Sequence, residues 1–71
     1  MEYDLGRDTV KVVERSAIAE VSLNNKLIGS CWVNDGSWTA ATQNNKAKKS
    51  GFPRRDHAES WLIKRHKGIL A

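Results

Sequence analysis

Apolar and polar residues alternate with the period of a strand through much of residues 9–23. Ala17, Ala19, Val21 and Leu23 fall on one side, and Ile18, Glu20 and Ser22 on the other. Asn24-Asn25 then reads as a two-residue hairpin turn, because asparagine tolerates the positive φ that such turns demand. A second strand over 26–33 leads to Asp35-Gly36, a stronger hairpin signal, and a third strand spans 37–43. Residues 1–8 show no periodicity and read as a flexible lead-in to a single domain over 9–71. Residues 43–51 are polar, basic and patternless, which predicts an exposed mobile loop. Beyond it Pro53 suits the first turn of a helix. Asp56 and Glu59 lie towards its start and Lys64, Arg65, His66 and Lys67 in its last turns, matching the helix dipole at both ends. Gly68 stands where a helix stops. Ala58, Trp61, Leu62 and Arg65 share one stripe, so Ala58, Trp61 and Leu62 should press on the sheet. The predicted fold is α+β: a three-stranded antiparallel meander with one C-terminal helix packed on one face, βββα.

Following the two turns assigns the sheet faces. Val21 should pair with Ile28, Ala17 with Trp32, Trp32 with Thr39 and Val33 with Trp38. One face would carry Ala17, Ala19, Val21, Ile28, Trp32, Thr39, Ala41 and Gln43. The other would carry Ile18, Leu27, Cys31, Val33, Trp38 and Ala40, with Glu20 and Ser22. Both are partly apolar and one helix covers one face. Either a bulge shifts a register, or the uncovered face is an apolar patch that docks on a partner or on a second copy. Trp32 and Trp38 fall on opposite faces, so the outward one is a candidate for base stacking or partner contact.

Seventy-one residues make one domain that must pack efficiently, since a chain of this size buries only about 60% of its unfolded surface. Three tryptophans help, each able to bury roughly 150–250 Å². A single cysteine, Cys31, excludes an internal disulfide and favours a reducing compartment. No apolar run approaches the roughly 20 residues of a membrane span, and the acidic start Met1-Glu2-Tyr3-Asp4 lacks signal-peptide features. The expected location is cytoplasmic. The net charge of +4 is segregated: residues 1–43 hold four basic and six acidic side chains, and residues 44–71 hold eight basic and two acidic. A field of one sign steers polyanions. Lys46, Lys48, Lys49, Arg54 and Arg55, with Lys26, are the candidate phosphate contacts.

Catalysis finds little footing. Cys31 sits mid-strand without an activating neighbour and reads as a small buried hydrophobe. Cys31, His57 and His66 lack zinc-site spacing, and no glycine-rich phosphate loop is present. The expectation is a protein that is not an enzyme and needs no metal or cofactor.

Trp38, the basic loop, Gly51-Phe52, Ala58-Glu59 and Trp61-Leu62 together resemble the N-terminal arm-type DNA-binding domain of phage-like tyrosine integrases, which is similar to the plant AP2 domain. The resemblance covers roughly residues 26–66. It implies a three-stranded sheet whose exposed face enters the major groove of duplex DNA, with the helix behind. It also implies a small phage or mobile-element DNA-binding accessory or regulatory protein. Arg54 stands where that family usually has a threonine N-cap. Strands two and three carry only Lys26 where the family reads bases with arginine and lysine, which favours phosphate contact over base readout. The alternative is a protein-binding module, such as a phage-encoded inhibitor of a host nucleic-acid machine.

Overall fold

The computed structural model describes residues 1–68. Strands β1 (Glu2–Leu5), β2 (Asp8–Arg15), β3 (Ile18–Leu23), β4 (Lys26–Asn34), β5 (Ser37–Thr42) and β6 (Lys48–Phe52) precede α1 (Arg55–His66). The strands form one antiparallel sheet whose spatial order is the chain order. The architecture is thus α+β with a C-terminal helix on an antiparallel sheet, but the sheet has six strands instead of three.

Each extra strand follows from a turn or a pairing with its neighbour. The strand expected over 9–23 breaks into β2 and β3 at Ser16 and Ala17, which both take positive φ (47° and 70°) and so close a tight turn. Residues 2–5, expected as a lead-in, pair with β2 from Glu2↔Lys11 to Leu5↔Asp8. The stretch expected as a loop turns back at residues 43–47 and continues as β6, paired to β5. Its lysines suit a sheet edge, where charge discourages further strand pairing. Trp38 pairs with Phe52 and Ala40 with Lys49, so two residues of β6 oppose Thr39 in a bulge. Gly51, at φ 88°, supplies the left-handed residue there.

A second bulge settles the two-face problem. Val21 pairs with Gly29 and Ser22 with Leu27, leaving Ile28 as the extra residue of β4. Ile18, not Ala17, therefore faces Trp32. Val10, Val12, Ala19, Val21, Cys31 and Ala40 gather under the helix as the core, with Ile28 added by the bulge and Tyr3, Trp38, Phe52 and Trp61 at its margins. The open face carries Val13, Ile18, Ser30, Trp32, Thr39, Ala41 and Lys48. Trp32 and Trp38 do lie on opposite sides. On the open face the Lys48 ammonium reaches across β5 to within 5.6 Å of the Trp32 ring centroid, roofing Thr39 and Ala41, which are both buried.

The helix starts two residues later than Pro53. Its N-cap, Arg54, is extended (φ −144°, ψ 160°) and makes no side-chain cap. Lys67 N–H donates to Ile63 O and Gly68 N–H to Arg65 O, closing the C-terminus as expected. The buried stripe is Ala58, Glu59, Leu62 and Ile63, rotated from the one expected, so that Trp61 lies at the margin and Glu59 points inward. The helix seats on Gly29: a Cβ there would lie 2.4 Å from the Ala41 carbonyl oxygen and 2.7 Å from Leu62 Cδ2. Gly29→Ala should therefore cost about 1–3 kcal/mol, the usual penalty for overpacking. Chemical denaturation checks this, and an unchanged midpoint would show that the helix does not sit so closely.

Candidate nucleic-acid interface

The six basic residues singled out from the sequence do not share one surface. Lys46 lies in the β5–β6 turn, where its N–H donates to Asn44 Oδ1. Lys48 and Lys49 follow on β6 and, by the alternation of a strand, point to opposite sides of the sheet. Lys48 lies over Trp32 on the open face, and Lys49 lies over Phe52 on the helix side, 5.8 Å from its centroid. Lys26 sits at the β3–β4 turn, at the same end of the sheet as the β5–β6 turn.

Arg54 and Arg55 stand at the other end of the sheet, committed to carboxylates. Arg54 donates from Nε and Nη2 to the two oxygens of Asp56, at 3.0 and 2.8 Å. This pair holds the Asp56 carboxyl below the usual carboxylate range. Arg55 pairs with Glu14 on β2 and, at 2.9 Å, with Glu59 one turn along the helix. Glu59 is 1% exposed, and its Oε1 accepts a 2.8 Å hydrogen bond from the Tyr3 hydroxyl. Its Oε2 faces Arg55 as an ion pair without hydrogen-bond alignment. A buried carboxylate is tolerable only with such partners. These four residues, Arg55, Glu14, Glu59 and Tyr3, tie α1 to β1 and β2, and a Lys67–Asp8 pair repeats the tie at the far end of the helix.

On the helix side of β6 a groove of about 650 Å³ opens towards α1, lined by Lys49, Phe52, His57, Trp61, Lys64 and Arg65, with Asp56 and Ser60. Phe52 and Trp61 form its aromatic wall, with centroids 6.1 Å apart and planes tilted by 51°. Three fixed positive charges line the groove, and its one acid is held by Arg54. His57, Trp61, Lys64 and Arg65 recur at helical spacing. That periodicity is the signal by which the sequence could have located the groove, but the helix-dipole account of Lys64 and Arg65 concealed it.

A second cleft, of about 900 Å³, opens at the start of α1, where Met1, Val33, Trp38 and Pro53 lie around the Arg55–Glu59 pair, and Asp56 lines both clefts. Trp38 thus serves the core and this cleft. Trp32, half-buried on the open face, remains the outward tryptophan. Cys31 is fully buried, and burial pushes its thiol up to about 11, which keeps it protonated and a poor nucleophile. Among the described residues no three His, Cys, Asp or Glu side chains converge as a metal site. None of their helices is long and apolar enough to cross a membrane.

Burial first, and the bond to Glu59 second, raise the phenol of Tyr3 far above its ordinary value of about 10. Below pH 10 both native and unfolded chains keep that proton, so the contribution is intact. Above it only the unfolded chain releases the proton, and stability falls as pH rises. Tyr3 is the sole tyrosine, so tyrosinate absorbance reports it directly: it should appear together with unfolding, and ionisation near pH 10 in the folded protein would contradict the Glu59 contact.

Neither a protein-family model, nor a curated protein, nor a solved structure matches the chain, so the residues and their geometry carry the functional reading.

Proposed function

We propose that this chain is a small DNA-binding protein, of the accessory or regulatory kind found in phages and mobile elements, that holds the phosphate backbone through the β5–β6 hairpin and the adjoining side of α1. One observation carries this. Among the described residues, Arg15, Arg54, Arg55 and Lys67 are paired with carboxylates, whereas Lys46, Lys48, Lys49 and Lys64 have none within ion-pair distance. Four of the charges left over after internal pairing therefore border β6, whereas Arg7, Lys11 and Lys26, also without an ion pair, lie singly along β1–β4. The open sheet face adds Trp32 beside Lys48. Its remaining charge is balanced, with Arg15 paired to Glu20 at 3.1 Å, so phosphate contact along the edge is favoured over base readout across the face.

A mobility-shift titration with random-sequence DNA, duplex and single-stranded, at two salt concentrations tests this. Binding should weaken steeply with salt. On duplex, replacing Lys48 and Lys49 by alanine should flatten the log–log slope by about 0.9 for each phosphate that is no longer neutralised. Failure to bind any DNA at low salt would sink the proposal.

A second reading, a protein-binding module such as a phage-encoded inhibitor of a host nucleic-acid machine, draws on the other cleft. Met1 and Val33 are 63% and 57% exposed and both line it. Exposed apolar residues gathered in one place favour a protein contact. Capture of a defined partner from nuclease-treated lysate, abolished by Val33→Glu, is the outcome expected of it; capture that Val33→Glu leaves intact would count against the cleft.

A further inference from the structure

We infer that the β6–α1 groove seats an unpaired nucleotide, so that the preferred DNA is single-stranded; this rests on the DNA-binding function proposed above and narrows it to one strand state. Three features of the groove converge on that ligand. Its wall is aromatic, and every base offers a π-face to such a wall whatever its sequence, which is how single strands are held without sequence preference. Its rim is cationic: Lys49 enters from β6 and Lys64 from α1, so a phosphate on either side of a seated base meets positive charge. The one carboxylate of the lining, Asp56, is doubly hydrogen-bonded by Arg54 and contributes little repulsion.

The dimensions agree. About 650 Å³ lies within the ordinary range for small-ligand sites, roughly 300–1,000 Å³. A base in a duplex is stacked on both faces and cannot enter. An unpaired one can exchange its stack for Phe52 and Trp61. Lys49 lies over the Phe52 face, so a base stacked on Trp61 would have the cation beside it. An apolar ligand would leave the lysines unused, and a simple anion would leave the aromatic wall unused. A nucleotide uses both.

The experiment compares four probes on the full chain at low salt: a short oligothymidylate, an abasic strand of equal length and charge, the corresponding duplex, and oligouridylate. Indole N–H resonances of Trp32, Trp38 and Trp61 are followed throughout. Oligothymidylate should bind roughly tenfold or more tighter than the abasic strand, the worth of one stacked base, and should shift Trp61. Lys64→Gln, an exposed change that spares the core, should weaken it several-fold.

Equal binding of thymidylate, abasic strand and duplex would overturn the groove assignment while leaving the phosphate contact standing. A shift of Trp32 in place of Trp61 would overturn it in favour of the open face. Tighter binding of uridylate would overturn DNA as the strand. No binding by any probe would instead overturn the proposed function itself.

Discussion

Everything in this molecule is organised by one tight contact, the seating of α1 on Gly29. A twelve-residue helix has to cover one face of a six-stranded sheet, and it lies low enough to do so only because the residues beneath it are small. Gly29 has no room for a methyl group, and Ala19 and Ala40 complete the bed while Ala58 faces it from the helix, each almost fully buried. The apolar contacts of α1 fall on the middle and C-terminal strands. Its hold on β1 and β2 is made by side chains instead: Glu59 to Tyr3, Arg55 to Glu14, Lys67 to Asp8. A carboxylate inside an 8.0 kDa protein is costly in isolation. Here it fixes the helix over a part of the sheet that its apolar stripe does not reach.

Internal pairing also divides the positive charge into two populations. At the start of α1, Arg54 is absorbed by Asp56 of the same helix, and Arg55 by Glu14 and Glu59, holding the helix in place. The lysines of β6 are left unpaired, where they do two compatible things. They protect an exposed sheet edge from pairing with another chain, and each lies over an aromatic ring, Lys48 on one face and Lys49 on the other. The segregation of charge between residues 1–43 and 44–71 is thus real in sequence but only partly spatial, because Glu14 and Asp8 reach across to neutralise members of the basic third.

Much of the fold was legible where a residue's local chemistry permits one answer. Asn24-Asn25 and Asp35-Gly36 turn as read, with positive φ at all four residues. Asn24 also accepts from Thr9 N–H and donates to Asp8, stitching β2 to β3. The opposed faces of Trp32 and Trp38 and the stop at Gly68 followed from turn geometry and helix capping. What escaped was decided by tertiary pairing. Ser16-Ala17 turns although neither residue favours positive φ. Lys48–Phe52 has the composition of a loop and becomes a strand because β5 offers it a partner. The bulge at Ile28 leaves no mark on the periodicity, and it exchanges Ala17 for Ile18 opposite Trp32. Glu59 looked like a helix-start charge, because nothing local reveals that Tyr3, 56 residues away, arrives to bond it. The groove's helical side was legible in the spacing of His57, Trp61, Lys64 and Arg65, but its other wall was not, because Phe52 and Trp61 meet only once β6 has formed.

The agreement of spatial and chain order has a consequence for synthesis. Each strand can zip onto its predecessor as soon as it leaves the ribosome, with only a short loop to close. Yet the face these strands build stays greasy and uncapped until α1 follows, and its anchors at Asp8, Glu14 and Tyr3 belong to the strands made before the rest of the sheet. A newborn sheet therefore waits for its last segment to return to its first, and the interval before that closure is when the protein is most exposed to misassociation.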